Sequence, residues 1–230
     1  MNELYILLEL LASFGAVLLL YRFFGVAGLF GWIAFVIIIA NIQVQKTVMM
    51  FGIETTLGNV AYASLFLATD ILNENHGSTV SQKSVRFGFA IFVLVNAIII
   101  ITLAYTPSVT DQMHSTMQGM FGFFPRLLIA SLIAYFVSQS HDVWLFAKIK
   151  KMLPGTKYLW VRNNISTILS QIIDSVLFTC IAFLGERSFS VIFASSAITI
   201  LLKVAIAFLD TPIVYLARRL KHSGLISREI

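Results

Sequence analysis

Charged side chains are scarce in this 230-residue sequence, because Asp, Glu, Lys and Arg together make up only 12% of it. Hydrophobic residues make up 58%, and the mean hydropathy is +0.89. A soluble domain carries about 25% charged residues, so the composition excludes one. A membrane helix needs about 20 apolar residues, and the chain is long enough for at most about eight of them. We therefore expect a single transmembrane helical domain over residues 1–230.

Cysteines and the motifs of common enzymes are also nearly missing. The one cysteine, Cys180, excludes an intrachain disulfide and a multi-cysteine zinc site. The four histidines form no HExxH pattern, and neither a Gly-x-Ser-x-Gly element nor a Walker A loop is present. We expect no cofactor and no metal ion. An intramembrane hydrolase that uses Asp70, Glu74 and Asp174 is the enzyme alternative left open.

Strict alternation of apolar and polar residues, the mark of a membrane β-barrel, does not occur in the apolar runs at 36–40 and 97–101. The spans are therefore predicted to be α-helices. The first run lacks a basic start and a small-residue cleavage pattern, so we expect it to stay in the mature protein. Hydropathy predicts an all-α membrane protein with seven spans, at about 4–24, 28–49, 57–74, 85–105, 122–141, 165–184 and 190–215.

The basic residues are distributed unevenly over the loops of this arrangement. One side receives 12 of the 16: Arg22, Lys83, Arg86, Lys148, Lys150, Lys151, Lys157, Arg162, Arg218, Arg219, Lys221 and Arg228. By the positive-inside rule this asymmetry predicts an inner-membrane protein with its N-terminus outside and its C-terminus in the cytoplasm. We expect no nucleic-acid partner, because the basic residues adjoin the membrane and form no recognisable nucleic-acid-binding motif.

Polar residues recur at helical spacing in the sixth predicted span. Asn163, Thr167, Ser170 and Asp174 follow one another at intervals of four, three and four, with Gln171 beside them. This spacing places them on one helix face. Such a stripe must face protein or water. It predicts a binding site, with a hydrogen-bonded knot between helices as the alternative.

A second polar group ends the fifth predicted span. Gln139 and Asp142 are three residues apart and share a face, and Tyr135 and Phe146 extend that face with aromatic rings. The pattern is typical of a site that combines stacking with hydrogen bonds. An aromatic belt at the membrane interface is the alternative.

Two carboxylates lie one turn apart at the end of the third predicted span. Asp70 and Glu74 repel each other unless a cation, a donor-rich ligand or a shared proton lies between them. A pairing of Glu74 with Lys83 or Arg86 across the next loop is the alternative.

The last predicted span has its own charged residues. Lys203 and Asp210 are seven residues apart on one helix face, which favours a structural ion pair or a capping role.

These polar groups fit the edge of a purine-like molecule. Carboxylates accept the ring N–H and the exocyclic amine of a guanine edge, amides pair with its carbonyl, and aromatic rings stack on its plane. Amino acids or vitamins would make similar demands, so the residues by themselves leave the ligand open.

Three segments resemble the queuosine precursor transporter family, also called the vitamin uptake transporter family. They are ATDILNENHG at 68–77, SQSHDVWLF at 138–146 and RNNISTILSQIIDS at 162–175. The third is the most specific, because an Arg-Asn opening followed by Ser-Gln-x-x-Asp-Ser is unusual in a membrane helix. The likeness extends from about residue 30 to residue 215.

The resemblance implies uptake of 7-deazaguanine precursors of queuosine: 7-cyano-7-deazaguanine, its aminomethyl relative or queuine. It also implies a bundle of six to seven transmembrane helices similar to the substrate-binding subunits of energy-coupling-factor transporters, working without their ATPase. Docking on such an ATPase is the alternative, and a homodimer is left open. The residues it places in one pocket near the membrane centre are Asp70, Glu74, Gln139, Asp142, Asn164, Gln171 and Asp174.

Overall fold

The computed structural model describes residues 2–50, 52–122, 125–183 and 189–226. Within these ranges the chain is predominantly helical, with one antiparallel pair of short strands. The elements are α1 (Asn2–Gln43), β1 (Thr47–Met50), β2 (Ile53–Thr56), α2 (Asn59–His76), α3 (Ser78–Ala104), α4 (His114–Met117), α5 (Pro125–Met152), α6 (Leu159–Phe183) and α7 (Phe189–His222).

The first helix reverses direction at Gly25, which has a φ of 55° and a ψ of −134° inside α1. This backbone conformation is open almost only to glycine. The reversal brings Gln43 Nε2 within 2.8 Å of Glu9 Oε1, whereas a straight helix would separate them by about 50 Å. Gly28 lets the two halves pack closely, because a Cβ there would overlap the Leu20 carbonyl. The first half corresponds to the first predicted span, and the second half to most of the second.

The strands β1 and β2 form a hairpin that the sequence did not predict. The second predicted span reached residue 49, but α1 ends at Gln43 with turn-like bonds from the backbone N–H groups of Gln45 and Lys46. Four of the six residues at 41–46 are polar, which leaves a continued helix little apolar face to bury. Met50 pairs with Ile53 across the hairpin.

Helix α2 forms the centre of the bundle. Every residue from 63 to 74 is buried, and α2 packs against α1, α3, α5 and α7. A helix buried on all sides belongs to the interior of a protein. Its polar residues must therefore find partners on the surrounding helices.

The outside of the bundle is apolar. Exposed residues include Leu4, Leu8, Leu11, Phe23, Phe35, Leu94, Ile98, Ile101, Val137, Leu169, Val176, Phe208 and Leu209. By length and composition, three stretches of the described chain are long and apolar enough to cross a membrane: Asn2–Gln43, Ser78–Ala104 and Thr156–Ala182. An apolar outside with polar residues inside is the arrangement of a membrane protein. The number of helices that cross the bilayer stays a prediction.

Several basic residues meet at one end of the bundle. Tyr21 contacts His76 at 2.9 Å, and Lys150, Arg162 and Arg218 lie beside the last turn of α2. We call this the basic end. The β-hairpin lies at the opposite end, where Asn2 Nδ2 donates to the Met49 carbonyl at 2.7 Å.

Candidate functional site

The polar stripe predicted on the sixth span lies inside the bundle. Asn163, Thr167, Ser170, Gln171 and Asp174 are all buried along α6, which packs against α5 and α7. The stripe covers about 16 Å of helix from Asn163 to Asp174. We call the buried polar residues of α2, α5, α6 and α7 along this length the polar interior.

Asp70 and Asp142 form the centre of the polar interior. Both are fully buried and near enough for their charges to interact. Thr167 Oγ1 donates to Asp70 Oδ2 at 3.0 Å. Asp70 Oδ1 and both oxygens of Asp142 have no hydrogen-bond partner among the described residues. Buried carboxylates in this state are costly unless a donor or a cation meets them, so this pair is the strongest candidate for ligand contact.

Two glutamine amides accompany these acids. Gln139 lies three residues before Asp142 on α5 and accepts a bond from Thr69 Oγ1 at 3.1 Å, while its Nε2 has no partner within the described chain. Gln171 lies one turn after Thr167, is 1% exposed, and has neither polar atom paired within the described ranges. Unpaired buried amides are unfavourable. Together they offer both donors and an acceptor.

Asp174 lies at the end of the polar interior farther from the basic end, and it is already paired. Lys203 Nζ is 2.8 Å from its Oδ2, and Tyr62 and Ser138 donate to its Oδ1 at 2.8 and 3.1 Å. The ion pair predicted between Lys203 and Asp210 is wrong, because α7 runs antiparallel to α6 and places Lys203 level with Asp174. Asp210 lies about two turns nearer the basic end.

Two asparagines connect α6 to α7. Asn163 Nδ2 donates to Asp210 Oδ1 at 2.8 Å, and Asn164 Nδ2 donates to Thr211 Oγ1 at 2.8 Å. Asp210 Oδ2 has no partner in the part of the chain that the structure describes, and its charge interacts with that of Asp70. After Asp70 and Asp142, Asp210 is therefore a third acid of the polar interior that is not paired with a described Lys or Arg.

Glu74 belongs to an ionic cluster at the basic end. Arg162 Nη2 and Nε bind its two oxygens at 2.7 and 3.0 Å, Lys150 Nζ lies 3.3 Å away, and Arg218 also contacts the carboxylate. The Arg162 and Glu74 side chains are fully buried. A bidentate arginine contact of this kind is among the stronger ion pairs in proteins.

This cluster replaces the pairing suggested by the sequence. Lys83 and Arg86 are exposed on α3, so the cross-loop pairing of Glu74 is wrong. Both oxygens of Glu74 are bound by cations from α5, α6 and α7. A direct ligand role for Glu74 stays a prediction.

The aromatic rings expected beside Gln139 and Asp142 have other contacts. Tyr135 donates to the Val85 carbonyl at 3.0 Å, and the Arg162 guanidinium lies 5.8 Å from the centre of the Phe146 ring. Both residues are buried. Their contacts fix α5 against α3 and α6.

Sequence reasoning also missed some side chains of the polar interior, among them Thr69, Ser138 and Tyr62. Thr69 and Ser138 directly precede predicted site residues. Tyr62 lies eight residues before Asp70, a spacing of about two turns that places both on one helix face. That spacing was the available signal, but an aromatic residue in an apolar run is usually part of the core.

Two surface grooves of about 470 and 410 Å³ lie outside the polar interior. The first is lined by Thr156, Pro212, Tyr215, Leu216, Arg218, Arg219 and His222. The second lies along α1. Within the described ranges no group of His, Cys, Asp and Glu is arranged to hold a metal ion.

An apolar bundle with an acid-rich polar interior defines a membrane protein suited to handling a polar solute. The family model described as "Putative vitamin uptake transporter" matches residues 56–217, and the chain belongs to this family. The chain is therefore a transporter rather than an enzyme. No solved structure matches it.

Three relatives with assigned names are similar to this chain. The chain is 39% identical over 204 residues to the "Probable queuosine precursor transporter" of Bacillus subtilis, covering 89% of each protein. It is 28% identical over 148 residues to the "Queuosine precursor transporter" of Escherichia coli, covering 64% of each. The relative from Haemophilus influenzae is 26% identical over 136 residues, 58% of this chain and 54% of that protein. The resemblance drawn from the three sequence segments is confirmed.

Proposed function

We propose that this protein imports 7-deazaguanine precursors of queuosine across the inner membrane through its polar interior. The names of the relatives support this substrate class. The observation that carries the proposal is the buried pair of Asp70 and Asp142. Three of its four oxygens have no partner within the described chain, and neither do Gln139 Nε2 and both polar atoms of Gln171.

A guanine-like edge matches this set of groups. It presents a ring N–H and an exocyclic amine to carboxylates, and it presents a carbonyl to an amide donor. Asp70 and Asp142 accept the N–H groups in the proposed complex, and Gln139 or Gln171 donates to the carbonyl. The proposed site also includes Asn164, whose Oδ1 is unpaired within the described chain.

The proposed roles of Asp174 and Glu74 differ from those of the central acids. Asp174 is bound by Lys203, and Glu74 is bound by Arg162. Both lie at the ends of the polar interior, so we assign them to its closure around the substrate. Contact with the substrate then requires these ion pairs to open.

The proposed orientation has the N-terminus outside and the basic end in the cytoplasm. The contacts among Tyr21, His76, Lys150, Arg162 and Arg218 support it, because they gather the basic connections of the predicted topology on one side of the bundle. Seven spans give this arrangement when α1 counts as two.

We propose that the chain acts without an ATPase module, in a fold of the kind found in energy-coupling-factor substrate-binding subunits. Uptake into proteoliposomes that contain only the purified chain tests this point. Uptake that requires added ATPase subunits would make it a substrate-binding subunit instead. The molar mass in detergent, measured by light scattering, decides between a monomer and a homodimer.

The central experiment measures uptake of labelled 7-cyano-7-deazaguanine and 7-aminomethyl-7-deazaguanine by cells that cannot make either compound. Asp70→Asn and Gln171→Ala should each abolish uptake while the variant stays in the membrane at normal abundance. Asp111→Asn, at an exposed acid outside the helices, is the matched control and should transport normally. Normal uptake by Asp70→Asn would remove the central pair from the site.

A further inference from the structure

The polar interior contains more acid than a neutral nucleobase requires. Asp70, Asp142 and Asp210 come from α2, α5 and α7, and all three are fully buried. The buried cations nearby are already engaged, because Lys203 binds Asp174 and Arg162 binds Glu74. No described Lys or Arg lies within salt-bridge distance of the three acids.

The contacts that these acids do make carry no charge. Thr167 donates one bond to Asp70 and Asn163 donates one to Asp210. One oxygen of Asp70, one of Asp210 and both of Asp142 remain without a partner within the described ranges. A hydroxyl and an amide satisfy single oxygens but leave the remaining carboxyl oxygens without a hydrogen-bond partner, which is costly in a buried site.

Buried amides that point to a ligand accompany the acids. Gln171 is 1% exposed with both polar atoms unpaired within the described chain, and it lies one turn from the threonine that binds Asp70. Gln139 is fully buried, with its Nε2 unpaired among the described residues. The acids and amides therefore form one unsatisfied set rather than an isolated acidic cluster.

We propose that Asp210 is a second recognition point, which selects a substrate that carries a primary ammonium group. The inference rests on the proposed function, in which Asp70 and Asp142 accept the guanine-like edge. In a 7-substituted deazaguanine the substituent is on the five-membered ring, away from that edge. An ammonium there needs a carboxylate separate from the central pair, and Asp210 on α7 supplies one.

The ammonium of the aminomethyl compound and the nitrile of the cyano compound would interact with Asp210 in different ways. An ammonium brings three donors and a positive charge to Asp210, which is a charge-assisted contact. A nitrile brings only an acceptor, with neither a positive charge nor an N–H donor, so it cannot form that contact. The site is therefore selective for the aminomethyl compound over the cyano compound.

Isothermal titration of the detergent-purified full chain tests this selectivity. We expect 7-aminomethyl-7-deazaguanine to bind at least about tenfold more tightly than 7-cyano-7-deazaguanine. Asp210→Asn should bring the two affinities close together by weakening only the aminomethyl compound. Asp70→Asn should weaken both, and Asp111→Asn should change neither.

A third ligand keeps the test independent of how the variants fold. The 7-hydroxymethyl analogue places a neutral hydroxyl where the ammonium would be, and it should bind at least about tenfold more weakly than the aminomethyl compound. Equal binding of all three ligands to the unaltered chain would overturn the ammonium preference and leave the proposed function standing. An equal loss of both ligands in Asp210→Asn would overturn the role of Asp210. Binding of none of them would overturn the proposed function itself.

Discussion

Lys203 on α7 and Asp174 on α6 form an ion pair of 2.8 Å in the interior of the bundle. Asp174 also accepts hydrogen bonds from Tyr62 on α2 and Ser138 on α5. The Asp174 carboxylate of α6 therefore binds side chains from three other helices, and Lys203 is the one cation among these partners. The Lys203 ammonium also lies 5.1 Å from the centre of the Tyr62 ring, which adds a cation–π contact.

Substitution of Lys203 tests how much the ion pair with Asp174 contributes to the stability of the protein. Lys203→Met leaves Asp174 buried without its cation, so we expect the free energy of unfolding to fall by about 3–5 kcal/mol. The double variant Lys203→Met/Asp174→Asn removes both charges and should recover most of that loss. Denaturant unfolding of the detergent-purified protein measures the stability of the single and of the double variant. Lys46→Met, at an exposed lysine, is the control. A single variant as stable as the control would show that the pair contributes nothing.

The ionic cluster at the basic end predicts that two substitutions, at Glu74 and at Arg218, destabilise the protein to different extents. Glu74→Gln leaves the buried Arg162 without its anion and should destabilise the protein by about 3–5 kcal/mol. Arg218→Gln should cost less, because its side chain is 24% exposed and Arg162 continues to bind Glu74. Thermal unfolding ranks the two variants, with Lys83→Gln on the exposed face of α3 as the control. The reverse ranking would contradict the inference that the buried pair of Arg162 and Glu74 contributes more than the partly exposed Arg218.

Sequence reasoning located the polar interior better than its pairings. The spacing of Asn163, Thr167, Ser170 and Asp174 places one face of α6 correctly, because helical periodicity is a local property. The partner of Lys203 depends on how α7 packs against α6. A sequence pattern within α7 does not determine which residue of α6 lies beside Lys203. The spacing of Lys203 and Asp210 reports only that they share a face of α7, whereas the actual partner, Asp174, comes from α6.

The break in α1, the hairpin and the partners of Glu74 also show which features a local sequence pattern predicts and which depend on tertiary packing. The break near Gly25 lies in the gap between the first two predicted spans, because hydropathy falls there. The hairpin at 47–56 was missed, because each strand has only four residues, which is too short to be distinguished from the end of the preceding apolar run. The cation partners of Glu74 come from three other helices, so its ionic cluster had no signal in the sequence around it.

The chain reversal at Gly25 predicts an opposite effect of the same substitution at two glycines. Gly25→Ala forces a Cβ into a backbone with a φ of 55° and a ψ of −134°, which should cost about 1–3 kcal/mol. Gly15→Ala, in the helical part of α1 with open space around its Cα, should stabilise the protein by up to about 1 kcal/mol. Thermal unfolding of both variants gives the sign of each change. A neutral effect at Gly25 would mean that the two halves of α1 are not joined by this turn.

The proposed orientation places Asp111 and Lys157 on opposite sides of the membrane. Asp111 follows α3 and lies in an exposed connection, and Lys157 lies in the exposed turn before α6. Cys180 is also exposed on the bundle, so the test begins with Cys180→Ser. In that background Asp111→Cys should react with a membrane-impermeant maleimide on intact cells. Lys157→Cys should react only after the membrane is opened.

This pair of sites separates the topology from the fold, because both residues are exposed whichever way the bundle is inserted. The reverse labelling pattern would place the N-terminus in the cytoplasm and the basic end outside, against the positive-inside rule. Labelling of both sites on intact cells would mean that an even number of spans separates them. The second outcome would contradict the predicted span that contains α5, which lies between the two residues along the chain.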